Sequence, residues 1–402
     1  REAGQKPAAR RTGAKPFAAD RFVRAFRSGS DEAKLAALLE VEQRFRDHPD
    51  LLEALWQAIQ PARDGKKVTP ALLAGVRLYA GIADAKQSDR QLHLLQSADA
   101  RVVLAAAEGL AGRQAPDALT PIAALRLHPE YAQRYGFRLA VLSAVAKYPQ
   151  PAAVDWLIET LSESDGQLKY EAARELARLT GENFGGRSDD WQKWWADHRA
   201  EFAAAGPVSP RPEAAVPSEM PWDESVPKFF SVPIYARRVV FVIDRSRSMQ
   251  SSVDAVTRLD DAQRELELAV HGLPDGTLFN LVAYDTTLRL WRDRLVPADL
   301  KSRSESLRFI YSLYPDDKTA CYDALEGALA LDPNLELIVF LSDGEPTAGR
   351  ITDPAQIVRE ITARNAASRV RIDVLGIDAQ GQTEKFLKEL AAANFGKYRA
   401  VR

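Results

Sequence analysis

The stretch RRVVFVIDRSRSM, residues 237–249, decides the fold of the C-terminal part of this chain. Its first half is an unbroken apolar run rich in β-branched residues. That composition fits a strand buried on both faces better than one with a wet side. Its second half changes at once to acid and hydroxyl, with Asp244, Ser246 and Ser248 in the spacing D-x-S-x-S. In an open α/β sheet, ligands bind beyond the carboxyl ends of the strands, where strand order reverses. A buried strand that ends on such side chains therefore predicts both a fold class and the location of a site.

Downstream the text alternates between strand and helix. RLDDAQRELELAVHGL (258–273) is amphipathic, with Leu259, Ala262, Leu266, Ala269 and Leu273 on one face. TLFNLVAYD (277–285) and LRLWRDRLV (288–296) read as two strands. A helix follows around Ala298–Leu313, then a loop ending in KTACYDALEGALAL (318–331) and the strand ELIVFLSD (336–343). Asp353-Pro354 opens another helix, RVRIDVLGI (369–377) is a strand, TEKFLKELAAANF (383–395) a helix, and GKYRAVR (396–402) a short closing strand. This alternation predicts a doubly wound, mostly parallel sheet with helices on both faces.

Three strand ends and loops carry oxygen donors: Asp244, Ser246 and Ser248; Thr319 after Lys318; and Ser342-Asp343-Gly344. Two carboxylates and three hydroxyls at one sheet edge form a hard donor set, which selects Mg²⁺ or Mn²⁺ over zinc. D-x-S-x-S lets one turning loop aim all three side chains at a single point. Two carboxylates leave a divalent ion with residual positive charge and with positions for water and an incoming carboxylate.

DRSRSM, the Thr319 loop with YDAL, and LSDGEPT stand in the order of the metal-ion-dependent adhesion site of the von Willebrand factor type A family, which residues 237–402 resemble. The resemblance implies Ser246, Ser248 and Thr319 as hydroxyl ligands of Mg²⁺ or Mn²⁺, with Asp244 and Asp343 acting directly or through water. It also implies that an acidic residue of a partner protein completes the metal shell. Bacterial members often carry Gly between the two serines, where this chain has Arg247. With Arg245 beside it, that departure favours acidic partners if the guanidinium groups face the ion; pairing with Asp or Glu is the alternative. Partner contacts are expected at Arg245, Arg247 and Glu345. Asp285 and Asp323 read as structural or supporting acids, and Cys321 as a buried, inert thiol.

No enzyme is expected. His271 is the one histidine of the C-terminal part and ends a helix, so neither serine has a base. P-loop and dinucleotide-binding glycine patterns are absent after the first strand. A metal-dependent phosphohydrolase using Asp244 would want a second acid where Ser246 stands.

Upstream, residues 21–204 read as helices at three- and four-residue apolar steps, such as Leu35, Leu38, Leu39 and Val41, then Leu51, Leu52, Leu55 and Trp56. The segment from Val102 to Leu125 repeats after a shift of 35, and Leu176 takes the Val145 position 31 later. Helix pairs at such a period stack to bury their faces; this resembles the HEAT class of α-helical solenoids. SDDWQKWWADHRAEF closes the array, with a cap at Ser188 or Asp189 and with Trp191 and Trp195 plugging the core. Residues 1–20 are basic and read as a mobile arm. Residues 205–236 carry seven prolines and read as a linker. Phe229, Phe230 and Tyr235 are expected to dock onto the domain at 237–402.

The 402 residues carry 54 Lys and Arg against 56 Asp and Glu, which argues against nucleic-acid binding. One cysteine allows no internal disulfide, and no apolar run is long enough to span a membrane. The expected function is partner capture through the metal, with the solenoid as scaffold; the alternative is an assembly subunit whose solenoid is the main binder. The leader and the adhesion-type domain point to an exported protein with its signal peptide removed, with a cytoplasmic location as the alternative.

Overall fold

The computed structural model describes residues 17–65, 68–205, 211–212, 215–217, 220–222, 225–253 and 256–401. Most of the expected basic arm and parts of the expected linker lie outside them. The chain packs as two compact units, divided at Ala118 and Leu119.

The first unit is helical among its described residues: α1 (Ala19–Ser28), α2 (Asp31–Arg44), α3 (Leu51–Ala58), α4 (Gln60–Arg63), α5 (Pro70–Gly81), α6 (Ser88–His93) and α7 (Ala100–Gly112). Starts follow capping chemistry: Ser30 Oγ accepts the Ala33 N–H at 3.3 Å, and Thr69 Oγ1 accepts that of Leu72 ahead of Pro70. Leu38 and Val41 of α2 are buried as the periodicity requires, but Leu35 and Leu39 of the same expected face remain exposed.

The second unit opens with α8 (Leu119–Ala123), α9 (Pro129–Gln133), α10 (Tyr135–Val145), α11 (Pro151–Glu163), α12 (Gly166–Thr180) and α13 (Ser188–Ala204). The starts of α7, α10 and α12, at Ala100, Tyr135 and Gly166, are 35 and 31 residues apart, the two steps read from the sequence. Helix α10 contacts α12, and α11 contacts both α12 and α13, an arrangement compatible with stacked pairs. Helix α13 starts at Ser188 itself. Arg187 holds the cap position without a side-chain cap and pairs instead with Asp190 at 2.8 Å. Trp191 and Trp195 are buried, with their N–H groups on Gly185 O (2.9 Å) and Asp155 Oδ1 (2.6 Å).

A hairpin, β1 (Lys228–Phe229) with β2 (Val232–Pro233), leads into β3 (Arg238–Asp244). Then come the hairpin β4 (Ser252–Val253) with β5 (Val256–Thr257), α14 (Arg258–Gly272), β6 (Leu278–Tyr284), β7 (Leu288–Leu290), β8 (Val296–Pro297), α15 (Leu300–Ile310), α16 (Cys321–Ala330), β9 (Leu337–Ser342), α17 (Pro354–Asn365), β10 (Arg371–Ile377), α18 (Gly381–Ala393) and β11 (Tyr398–Val401). The sheet order is β11-β10-β9-β3-β6-β7, with β8 also on β6. All pairings are parallel except those of β7 and β8 with β6. The order reverses between β3 and β9, so their carboxyl ends flank the switch point.

Alternate residues feed two cores. Val239, Phe241 and Ile243 pack with α14 and α15 on one face, and Val240 and Val242 pack with α16, α17 and α18 on the other. The strand expected at 288–296 is broken in two, because Trp291 turns inward and stacks on Phe279, ring centroids 5.1 Å apart.

Phe229 is fully buried, edge-on to Phe241 at 5.6 Å, and Tyr235 is buried against Tyr170 of α12, ring centroids 4.3 Å apart. The sequence placed the boundary in the proline-rich stretch, whereas the packing division falls at 118/119. Its reason is that α10 and α12 bury polar groups against the sheet. Arg371 of β10 pairs with Glu171 of α12 (3.3 Å) and with its neighbour Asp373 (2.9 Å). Asn334 Oδ1 accepts the Tyr135 N–H at 2.9 Å. Glu336 Oε2 accepts the N–H groups of Gln167 and Arg237. Among the described residues no helix is long and apolar enough to cross a membrane.

Candidate metal centre

Asp244 ends β3 with its side chain sealed from solvent. Its Oδ1 accepts the backbone N–H of Ser246 at 2.8 Å, which folds the D-x-S-x-S loop back over the strand end. Its Oδ2 accepts the Ser342 hydroxyl at 2.7 Å and the Tyr284 hydroxyl at 3.2 Å. All three donors are neutral, and among the described residues no cationic side chain touches this carboxylate. Burial, then the nearby charge of Asp343, push the Asp244 carboxyl up to about 6.

The two serine hydroxyls are 3.1 Å apart, and Ser248 Oγ donates to Asp343 Oδ1 at 2.7 Å. Thr319 reaches the same place from the other side of the sheet. Its loop is strapped to the one after β9: Thr347 and Ala348 N–H groups donate to Thr319 O at 3.0 and 3.2 Å. A β-carbon on Gly344 would lie 3.6 Å from both Ser248 Oγ and Thr319 Oγ1, so the two hydroxyls flank that glycine. The structure thus brings together Asp244, Ser246, Ser248, Thr319 and Asp343. Among the described residues no group of three His, Cys, Asp or Glu gathers anywhere, since this cluster is mostly hydroxyl.

The expected partner contacts separate. Arg245 is buried, with its guanidinium on the Asp285 carboxylate and on Tyr314 O (3.2 Å), so it is a structural ion pair rather than part of the rim. A buried charge needs such a partner, and Asp285, the residue after β6, supplies it. Arg247 is exposed, 3.8 Å from Asp317, and Glu345 is exposed beside Asp343. Asp323 holds Arg350 through Nε (2.6 Å) and the backbone N–H (3.0 Å). Cys321 is buried, and burial pushes its thiol far up.

Sequence reasoning missed Arg258. Its Nη1 meets Asp343 Oδ2 at 2.8 Å and its Nη2 meets Asp378 Oδ2 at 2.9 Å. The capping box of Thr257 and Asp260, visible as T-x-x-D, fixes Arg258 as the first residue of α14. Nothing in the sequence indicated which arginine would meet Asp343. Ser342 and Tyr284 were also missed as donors to Asp244; their signal was only their place as the last residues of β9 and β6.

Residues 237–400 match the family model described as von Willebrand factor type A domain. Among curated proteins, inter-alpha-trypsin inhibitor heavy chain H4 of Homo sapiens is 29% identical over 177 residues, covering 41% of this chain and 18% of its own. Heavy chain H2 of Sus scrofa is 29% identical over 177 residues, covering 40% and 17%. The chain therefore spans less than a fifth of the length of these relatives. Among solved structures, a von Willebrand factor type A protein from Catenulispora acidiphila aligns over 42% of this chain and 40% of its own, at 24% identity and a TM-score of 0.36. The family match covers the sheet, both helical layers and the cluster at the switch point, and residues 237–400 form a von Willebrand factor type A domain.

Proposed function

We propose that this domain holds one divalent cation, Mg²⁺ or Mn²⁺, between Asp244, Ser246, Ser248, Thr319 and Asp343, and through it docks an acidic side chain of a partner protein. The observation that carries the reading is the state of Asp244. A buried carboxylate stands beside a second one with only neutral donors on it, and its proton affinity is raised accordingly. Such a site calls for positive charge. The donors are all oxygen, as a hard cation requires. When bound, the ion supplies a positive centre with room for an external carboxylate.

The chain's own residues do the rest. Tyr284 and Ser342 fix the rotamer of Asp244, Asp343 orients Ser248, and Arg258 holds the far oxygen of Asp343. Arg247 and Glu345 stand exposed at the rim, where a partner would meet them. A binding role is favoured over catalysis because neither serine has a base: His271 ends α14, half-exposed and 3.9 Å from Glu267. The helical repeats are proposed as a HEAT-like scaffold over 21–204. A second reading, in which the helices are the main binder and the domain an assembly clip, draws on α12 being packed into the sheet.

Calorimetric titration of Mg²⁺ and Mn²⁺ into chelator-treated protein tests the proposal. One ion per chain, lost in Asp244→Ala, is the expected result. Absence of heat from both metals with unmodified protein would overturn it.

A further inference from the structure

A second polar site lies at the opposite flank of the sheet, independent of the metal reading. There α12, the β1–β2 hairpin, the edge strand β11 and its neighbour β10 line a pocket of about 210 Å³. Gln167 and Tyr170 line it from the helix, Val232, Pro233 and Tyr235 from the hairpin and its exit, and Arg371, Asp373, Lys397 and Arg399 from the sheet.

Among the described residues its charged lining is Arg371, Lys397 and Arg399 with Asp373, and Glu171 reaches Arg371 from α12. Both carboxylates are already engaged. Glu171 binds Arg174 at 2.8 Å and Arg371 at 3.3 Å, while Asp373 takes Arg371 Nε and the backbone N–H of Lys397. Two nitrogen groups are left over. Arg371, with about 6% of its surface exposed, spends Nε and Nη1 on those acids, and its Nη2 has no partner among the described residues. The Lys397 ammonium, half-buried, makes no ion pair or hydrogen bond among the described residues. The half-buried Lys397 ammonium has given up part of its hydration with no ion pair among the described residues to offset it. Burial, then Arg174 and Arg371, lower the Lys397 pKa, a deficit that an anion would relieve.

We propose that this pocket binds a small organic anion, its carboxylate or phosphate between the Lys397 ammonium and the Arg371 guanidinium and its apolar body against Val232, Pro233 and the Tyr170–Tyr235 stack. The volume equals roughly seven waters at ~30 Å³ each, which admits a single-ring acid and is too small for a nucleotide. One unpaired nitrogen on Arg371 rules out a two-bond clamp, so Lys397 acts as the point charge that holds the head group. The ligand would bridge α12 to the sheet edge and stabilise the second unit by mass action.

Benzoate, inorganic phosphate and benzyl alcohol are the probes, titrated calorimetrically into the full chain with a chelator present and paired with thermal melts. Saturable one-to-one binding of benzoate with a rise in melting temperature is expected, and none for the isosteric alcohol. Lys397→Met, which keeps the apolar stem, should weaken binding about tenfold. Lys397→Arg should retain it, and Asp244→Ala should leave it unchanged. Binding of phosphate with none of benzoate would assign the anion site to a phosphate source and overturn the apolar body. No saturable binding of either anion up to about 10 mM, or equal affinity in Lys397→Met, would overturn the site altogether.

Discussion

Glu336, the residue before β9, should make the protein less stable as pH rises, and Glu336→Gln should remove that dependence. Its carboxylate is buried, and Oε2 accepts the Gln167 N–H at 3.0 Å and the Arg237 N–H at 2.9 Å. Gly166, with φ at +59°, makes the approach feasible: a β-carbon there would lie 2.6 Å from Oε2. Two backbone donors do not offset the burial, which pushes this carboxyl from 4.5 up to about 7. Between those values the folded chain keeps a proton that the unfolded chain has released. The unfolding free energy therefore falls as pH climbs through that window, and the loss is complete once the folded group has ionised. At ~1.4 kcal/mol per pH unit, the full span corresponds to about 3 kcal/mol.

Glutamine cannot ionise and keeps an oxygen for both donors; its amide nitrogen takes the place of Oε1, which accepts no protein donor. The variant should match the unmodified chain near pH 5 and exceed it at pH 8. At roughly 2 °C per kcal/mol, the gap at pH 8 is about 6 °C. Differential scanning calorimetry of both proteins at pH 5, 6, 7 and 8, without metal, reads it. Melting curves that stay parallel across the range, or a gap that opens toward acid, would refute the reasoning. Glu336→Ala is the contrasting case: it strands two buried N–H groups and should destabilise at every pH, by ~1–3 kcal/mol for each.

Four further outcomes are expected. Because the Asp244 carboxyl sits at about 6 without metal, protons compete with the cation below that pH, and apparent Mg²⁺ affinity should fall roughly tenfold per pH unit in calorimetric titrations. Gly109→Ala in α7 places a β-carbon 2.3 Å from Arg77 O of α5, and should lower the melting temperature of the first unit by overpacking worth ~1–3 kcal/mol despite a better helix former. Glu171→Ala removes the acid shared by the buried Arg174 and Arg371; chemical denaturation should show a loss of about 3 kcal/mol. A fragment of residues 237–402 should melt well below one of residues 119–402, since it lacks the helices that cover Glu336 and Arg371.

What could be read from sequence was what periodicity and punctuation encode. VVFVI followed by Asp244 is a buried strand, and the side chains of Asp244, Ser246, Ser248, Thr319 and Asp343 lie close together at its end. Helix starts at Ala100, Tyr135 and Gly166 kept the spacing of the apolar repeats. Long-range pairing was not legible. Arg245 and Arg247 look alike in the text, yet one is buried on Asp285 and the other faces solvent. Arg258 meets Asp343 across 85 residues of chain, and Glu171 meets Arg371 across 200. Local pattern carries no term for such partners, because they depend on how the elements pack.

The same gap bears on the packing division at 118/119, which lies upstream of the proline-rich stretch. A doubly wound sheet needs both faces covered. One face has α16, α17 and α18, while the other has α14 and α15 over β3 and β6. On that second face, the start of β10 carries Arg371 and Asp373, side chains that no apolar helix could cover without cost. Helix α12 meets them with Glu171 and Tyr170, and the hairpin that follows the prolines brings Phe229 onto Phe241. Helix α12 therefore supplies a third cover of this face. The strand that ends beside Asp343 is thus linked to α12 through β10, by the β9–β10 ladder and the Arg371–Glu171 pair. The distinction between a capture domain on a spacer and a clip on a helical binder then turns on α10 and α12, whose polar groups meet the sheet.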